Sequence, residues 1–119
     1  MAPNTSMGNV DTCRDMMQCV FSLTKLELDV FVFLNKKGAK KVEEVAEHFK
    51  KDRSSAYRAL QSLSKCGLCQ RKTLYLDKGG YYHVYEASSL EEIKNRSREC
   101  ADNWHDMILK RIEEMDKSI

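Results

Sequence analysis

Two segments with helical apolar spacing, separated by only three residues, constrain the fold of this chain more than any other feature. Residues 42–49 carry apolar side chains at the i, i+3, i+4 and i+7 positions of one helix face, and residues 53–66 carry a second such face. The residues between them, 50–52, are all polar. Two short helices joined by so tight a turn indicate a helix-turn-helix. Asp52 or Ser54 can cap the second helix.

The second of these helices has a polar and basic face opposite its apolar face. Hydroxyl, amide and guanidinium donors suit phosphate oxygens and base edges, and a helix-turn-helix places its second helix in the major groove. A solvated amphipathic helix, whose charges only face water, is the alternative. The predicted DNA-contacting residues of this helix are Arg53, Ser54, Ser55, Arg58, Gln61 and Lys65.

Charge is distributed unevenly along the chain. The formal net charge is only +2, but residues 36–78 contain twelve Lys or Arg against five Asp or Glu. The flanks on either side are slightly acidic. A basic middle that coincides with the candidate recognition helix is the electrostatic pattern of a DNA-facing surface.

Gly67 ends the recognition helix, and the residues after it have the pattern of a β-hairpin. Residues 68–76 suit an extended strand, 77–80 form a turn, and 81–86 are rich in aromatic residues that strands favour. A basic hairpin directly after a helix-turn-helix is the wing of a winged helix, although a hairpin that only covers the core is the alternative. The predicted contacts of this wing with phosphates or the minor groove are Arg71, Lys72 and Lys78.

The segment Thr24-Lys-Leu-Glu27 has the sequence of a capping box, so a helix begins at Lys25. Apolar residues surround most of this helix, which predicts that it is the buried centre of the domain. An earlier helix is predicted over 11–20. We predict that residues 1–9 are a loose tail, and they lack the charge order of a signal peptide. No apolar run is long enough to span a membrane, so we expect a cytoplasmic protein.

The segment Ser89-Leu-Glu-Glu92 is a second capping-box sequence, and it opens a predicted helix that runs without interruption to Ile119. A helix of about 30 residues is about 45 Å long, too long to pack wholly on so small a domain. We therefore predict a winged helix-turn-helix domain over 10–88 and a dimerisation helix over 89–119, with pairing to the first helix of the same chain as the alternative. The predicted dimerisation residues are Ile93, Cys100, Trp104, Met107, Ile108, Ile112 and Met115.

Residues 23–34, 42–46 and 55–68, with the hairpin that follows, resemble the amino-terminal DNA-binding domain of archaeal TrmB-type regulators. The pattern Tyr-x-x-Leu-x-x-Leu-x-x-x-Gly from Tyr57 to Gly67 is its most telling part, and MarR-like winged helices are the wider relatives. The resemblance implies a DNA-binding transcriptional regulator, to which the residue patterns add a mainly α fold with a small β-hairpin and a homodimer.

By that resemblance the positions that face the major groove are Ser54, Ser55, Arg58 and Gln61. Full-length members continue into a sugar-binding domain, for which this chain leaves no room after its one long helix. Sugar sensing is therefore not among our expectations.

Cys66 and Cys69 form a Cys-x-x-Cys at the junction of the recognition helix and the wing, where family members usually have other residues. Such a pair can close into a disulfide or bind a metal ion, so a thiol-redox response of DNA binding is a hypothesis. Two small residues packing at a turn are the alternative. A structural zinc site needs four ligands, and Cys13 and Cys19 lie on different faces of a helix, so we expect neither zinc nor an iron–sulfur cluster.

Catalytic motifs are missing from the sequence. There is no phosphate-binding glycine loop and no metal-binding pair of histidines, and Gly79-Gly80 belongs to a hairpin turn. We therefore expect no enzyme, but a protein whose partners are double-stranded DNA and a second copy of itself. The competing class is a winged helix that binds another protein. The effector and the operator are not indicated by any residue pattern.

Overall fold

The computed structural model of the chain describes residues 13–118, and it shows a mainly helical fold with one β-hairpin. The predicted tail 1–9, the first residues of the predicted helix 11–20, and Ile119 lie outside the described residues. The predicted fold class, a winged helix-turn-helix followed by a long carboxy-terminal helix, is confirmed. The elements are α1 Cys13–Val20, α2 Lys25–Lys37, α3 Val42–Phe49, α4 Arg53–Lys65, β1 Cys69–Tyr75, β2 Tyr81–Ala87, α5 Leu90–Glu113 and α6 Met115–Ser118.

Helix α2 begins with the predicted capping box. The Thr24 hydroxyl accepts a hydrogen bond from the Glu27 N–H at 3.1 Å, and the Glu27 carboxylate accepts one from the Thr24 N–H at 2.8 Å. Val30 and Leu34 of this helix are almost completely buried, so α2 is the centre of the core as predicted. The core against which α2 packs includes the fully buried Leu60 and Leu63 of α4.

The turn between α3 and α4 sets the orientation of these two helices in the helix-turn-helix. Lys50 adopts a left-handed conformation with a φ of 54°, and the Lys51 N–H donates to the Ala46 carbonyl at 2.9 Å. The Asp52 carboxylate then accepts a hydrogen bond from the Ser55 N–H at 2.6 Å. Of the two candidate caps of the recognition helix, Asp52 and Ser54, the structure selects Asp52.

Helix α4 ends in a Schellman turn that directs the chain into the wing. The Leu68 N–H donates to the Leu63 carbonyl at 2.9 Å, and the Gly67 N–H donates to the Ser64 carbonyl at 3.0 Å. Gly67 has a φ of +78°, a conformation that favours glycine because it has no Cβ. Leu68 is fully buried, so the start of the wing is anchored in the core.

The hairpin is attached to the helix-turn-helix through its second strand. Strands β1 and β2 pair antiparallel, with Cys69 opposite Ala87 and Tyr75 opposite Tyr81. On the other edge of β2, Tyr85 exchanges both backbone hydrogen bonds with Lys40, at 2.9 and 2.8 Å. Because Lys40 lies just before α3, this bridge fixes the wing relative to the helix-turn-helix.

The structure corrects two predictions for the carboxy-terminal helix. The Ser89 hydroxyl caps α5 by accepting from the Glu92 N–H at 3.2 Å, but the Glu92 carboxylate accepts from Arg96 instead of completing the capping box. The prediction of an uninterrupted helix over 89–119 is also wrong, because α5 ends at Glu113 and α6 is a separate short helix. At the break the Glu114 N–H donates to the Arg111 carbonyl, three residues back, which tightens the last turn.

Helix α5 is only partly supported by the chain's own core. Ile93 and Cys100, near its beginning, are partly buried against the core, and α1 contacts this part of the molecule. At the standard rise the 24 residues of α5 extend about 36 Å. Within residues 13–118, no helix combines the length and the apolar composition that a membrane span needs.

Candidate nucleic-acid interface

Burial of one side of α4 determines which side faces outward. Ala56, Ala59, Leu60 and Leu63 are buried, so the opposite side of the helix lies at the surface. This surface has the polar and basic composition that the sequence predicts. The predicted DNA-contacting residues of α4 are all accessible to solvent. Those that are exposed are Arg53, Ser54, Arg58 and Lys65, and those that are partly exposed are Ser55 and Gln61.

Arg53, at the start of α4, already has a partner in the protein. Its Nε donates to the Glu43 carboxylate of α3 at 2.8 Å, and both side chains are largely exposed. The hydrogen bond from Arg53 lowers the pKa of Glu43, and Glu43 in turn raises the pKa of Arg53. An exposed ion pair of this kind contributes little stability, so a phosphate can compete for Arg53 at small cost.

Arg58, in the middle of α4, is an exposed cation of this helix face. Its Nη2 donates a long hydrogen bond of 3.4 Å to the Ser55 hydroxyl, and it forms no ion pair with any residue in the range 13–118. A guanidinium presents several donors in a fixed planar fork, which matches the acceptors of a guanine edge or of a phosphate. The side chain is therefore free to contact DNA without first leaving a carboxylate.

The three predicted wing cations differ in their surroundings. Lys72 pairs with Glu86 across the hairpin, since these residues lie on the same face of neighbouring strands. Arg71 and Lys78 are exposed, and neither forms an ion pair with the described part of the chain. Arg71 and Lys78 are thus the wing cations whose charge no carboxylate balances within the described residues.

Several aromatic residues of this surface were not among the residues predicted from the sequence. Tyr57 lies on α4, is exposed, and its hydroxyl accepts a hydrogen bond from the Gln61 amide. Tyr75 and Tyr81 are opposite each other near the hairpin turn and are exposed. The strand register centres the turn on Lys78, so counting equal steps from Gly79-Gly80 in the sequence would not have paired these two tyrosines.

The Cys-x-x-Cys lies in the interior of the junction between α4 and β1. Cys69 is buried, its Sγ lies 3.3 Å from the Ser64 hydroxyl, and it donates to the Leu60 carbonyl at 3.6 Å. Burial raises the pKa of both Cys66 and Cys69 above the ordinary thiol value. A raised pKa disfavours the thiolate, which is the reactive form.

The cysteines described by the structure are free thiols, and no metal site is assembled from them. Across residues 13–118, no three side chains of His, Cys, Asp or Glu are grouped so that they could hold a metal ion. The four-cysteine zinc set considered from the sequence is therefore not brought together. The redox hypothesis for Cys66 and Cys69 stays a prediction, and their packing favours the structural alternative.

The predicted dimerisation residues divide into two groups. Ile93 and Cys100 pack on the chain's own core, and Trp104 and Ile108 are half-buried. The remaining predicted residues, with Leu109 in addition, are each about half exposed. These exposed apolar residues are Met107, Leu109, Ile112 and Met115. The second half of α5 and the start of α6 therefore present apolar side chains to solvent.

Comparison with known proteins places these features in a family. A family model described as "Sugar-specific transcriptional regulator TrmB" matches residues 17–91. The uncharacterized protein MJ1503 of Methanocaldococcus jannaschii is 35% identical over 105 residues, which cover 88% of this chain and 80% of that protein.

Solved structures show the same architecture. A possible transcriptional regulator from Methanosarcina mazei Go1 matches with a TM-score of 0.67 and 25% identity, over 84% of this chain and 85% of that one. A MarR-like transcriptional regulator from Thermotoga maritima matches with a TM-score of 0.54 and 21% identity, over 78% of this chain and 65% of that one. The second likeness concerns the fold alone.

Proposed function

The chain is a winged-helix transcriptional regulator that belongs to the TrmB family, and on that premise we propose that it binds double-stranded DNA sequence-specifically as a homodimer. The observation that carries the proposal is the exposed face of α4, which points outward because the opposite face is buried. This face carries Arg58, which forms no ion pair with residues 13–118. A regulator of this kind needs no catalytic centre, in agreement with the lack of catalytic motifs.

In this proposal α4 enters the major groove and the wing contacts the backbone. Arg58 donates to a guanine edge or a phosphate, and Gln61 is placed one helical turn further along the same face. Arg71 and Lys78 neutralise phosphates, which positions the protein without reading the sequence. Arg53 joins them by exchanging Glu43 for a phosphate oxygen.

The exposed apolar residues of α5 and α6 support the homodimer. Side chains such as Met107 and Ile112 lose contact with water when two such helices pair, and apolar burial is the main driving force of association. A two-fold axis through this helix pair would hold the two α4 helices of the dimer at a fixed separation, as an operator with two half-sites requires.

The dimer is tested with Ile112→Glu and with Lys110→Glu as a control on the same helix. Sedimentation analysis should find a dimer for the wild type and for the control, and a monomer for Ile112→Glu, because a buried unpaired carboxylate is costly. A wild-type chain that stays monomeric at micromolar concentration contradicts this part of the proposal.

The DNA contacts are tested after an operator has been selected from a random DNA pool. We expect Arg58→Ala to lower the affinity for the operator far more than for random duplex, by about tenfold or more, since a good base contact is worth about 1–3 kcal/mol. Lys78→Ala should weaken operator and random duplex equally and reduce the salt slope by about 1.

Arg98→Ala, an exposed arginine of α5, is the matched control and should leave both affinities unchanged. Equal losses for Arg58→Ala on operator and random DNA would contradict the assignment of α4 to the major groove. A salt-independent affinity, or no binding to duplex DNA, would favour a protein-interaction module.

The redox hypothesis has its own test. If oxidation of Cys66 and Cys69 reshapes the end of α4, an oxidant lowers the operator affinity of the wild type but not of the Cys66→Ser, Cys69→Ser double variant. The same affinity of the wild type with and without oxidant removes the hypothesis and leaves the two thiols as packing residues.

A further inference from the structure

One face of the wing carries aromatic side chains that the protein core does not use. The strand register places Tyr75 opposite Tyr81 and Thr73 opposite His83, and residues opposite each other in an antiparallel pair lie on the same side of the sheet. We call Thr73, Tyr75, Tyr81 and His83 the aromatic face of the wing. Tyr75 is 78% exposed and Tyr81 is 63% exposed, which are large values for such large side chains.

The rings of the aromatic face form a continuous row. The ring centroids of Tyr75 and Tyr81 are 6.3 Å apart, and those of Tyr81 and His83 are 5.5 Å apart. The Thr73 hydroxyl lies 3.1 Å from Nδ1 of His83, which fixes the orientation of the imidazole. A cross-strand pair of tyrosines stabilises a hairpin, but the outer surfaces of both rings remain in water.

The charge around the aromatic face is positive. Arg71 lies on the same face, opposite Tyr85, and has no ion-pair partner among the residues that the structure describes. Within the wing, 69–87, the carboxylates are Asp77 in the turn and Glu86 on the opposite face, where it pairs with Lys72. The strands therefore present aromatic rings and a free guanidinium, and no carboxylate, on this face.

The dimensions of the tyrosine pair distinguish between two kinds of nucleic acid. The minor groove of B-form DNA is about 6 Å wide, so two rings whose centres are already 6.3 Å apart do not fit into it side by side. The faces of paired bases are also covered by their neighbours in the stack. Unpaired bases expose those faces, and stacking on aromatic side chains next to cations is how single-stranded nucleic acid is bound without sequence preference.

We propose that the aromatic face of the wing binds single-stranded DNA, with unpaired bases stacked on Tyr75 and Tyr81. Arg71 then holds a phosphate of the single strand in place of a duplex phosphate. This binding mode goes beyond duplex recognition by α4 and does not use the α4 face. The wing follows α4 directly through the turn at Gly67, so the two proposed surfaces belong to consecutive elements of the fold. A regulator with both surfaces can hold an opened segment next to its operator.

The test uses the full chain and a fluorescein-labelled 15-residue oligo-dT, with binding followed by anisotropy at low and moderate salt. We expect wild-type binding, and a loss of about tenfold for Tyr75→Ala and for Tyr81→Ala, since each stacked base contributes substantially to affinity. Tyr75→Phe should bind like the wild type, because it keeps the ring.

Leu74→Ala is the matched control, because Leu74 is 41% exposed but lies on the opposite face of the same strand. It should bind oligo-dT like the wild type, and circular dichroism should show the same fold for all variants. Equal losses for Leu74→Ala and Tyr75→Ala, or a loss for Tyr75→Phe as large as for Tyr75→Ala, would overturn the proposal.

Arg58→Ala separates this proposal from the proposed function. It should weaken duplex binding and leave the affinity for oligo-dT unchanged. Duplex binding without any oligo-dT binding overturns the inference about the wing alone, whereas oligo-dT binding without duplex binding overturns the function proposed for α4 and leaves this inference standing.

Discussion

Replacing Gly67 by alanine tests how the recognition helix, the wing and α5 are joined. Gly67 has a φ of +78°, and a side chain in the left-handed region costs about 1–2 kcal/mol. A Cβ at this position would also lie 2.5 Å from Nε and 3.0 Å from Cδ of Arg96 on α5. Arg96 is long and flexible, so it can move away, but only by leaving its present partners.

The cost of moving Arg96 follows from those partners. Its Nε donates to Glu92 at 3.0 Å and its Nη1 lies 3.6 Å from Glu99, and all three side chains are substantially exposed. Exposed pairs contribute about 0.2–1 kcal/mol each, so the loss of both adds about 0.4–2 kcal/mol. We expect Gly67→Ala to reduce the free energy of unfolding by about 1.5–4 kcal/mol in the wild type, combining backbone strain and displaced contacts.

The two contributions are separated by a double-mutant cycle. In an Arg96→Ala background only the backbone strain remains, so the cost of Gly67→Ala should fall to about 1–2 kcal/mol. Urea unfolding at one fixed protein concentration gives all four free energies, and the concentration is fixed because the proposed dimerisation would contribute to stability. Equal costs in the two backgrounds would refute the clash with Arg96, and a cost below about 0.5 kcal/mol in both would refute the argument from φ.

Three further predictions concern the core, a helix cap and the response to acid. Leu60→Ala should lower the unfolding free energy by about 2–5 kcal/mol in urea titrations, because Leu60 is fully buried, and a loss below 1 kcal/mol would contradict that burial. Thr24→Ala should cost about 1 kcal/mol through loss of the cap on α2, whereas Thr24→Ser, which keeps the hydroxyl, should cost clearly less. Hydrogen bonds from Lys25, the largest cause, and from Arg14 lower the pKa of the Asp29 carboxyl below its ordinary 3.8. The ionised Asp29 therefore stabilises the fold fully above pH 3.8, and this stabilisation is lost as the pH falls through the lowered pKa. Stability measured against pH should therefore decline less steeply at the acid end in Asp29→Asn than in the wild type, and parallel curves would exclude this role.

The local signals of the sequence determined most of the fold and the outward face of α4. The capping box at Thr24, the helical spacing in α3 and α4, and the stop at Gly67 depend on residues within about seven positions of each other, so they can be recognised in the sequence alone. The polar face of α4 follows in the same way, because burying Leu60 on one side of a helix exposes Arg58 on another.

Tertiary structure decided the features in which one group has several possible partners. Glu92 can complete a capping box or bind Arg96, and it binds Arg96, whose side chain lies against Gly67 in the folded chain. Ile93 has the spacing expected of a residue in a dimer interface, yet in the folded chain it packs on the chain's own core. Such choices depend on distances between segments far apart in sequence, which local spacing does not encode.

The aromatic face of the wing shows the same division. The sequence determined that residues 81–86 form a strand, because aromatic residues favour strands. Only the register of the folded hairpin places Tyr81 beside Tyr75 and leaves both rings in water. The bridge between Lys40 and Tyr85, which joins backbone groups 45 positions apart, likewise exists only because the core brings the two segments together.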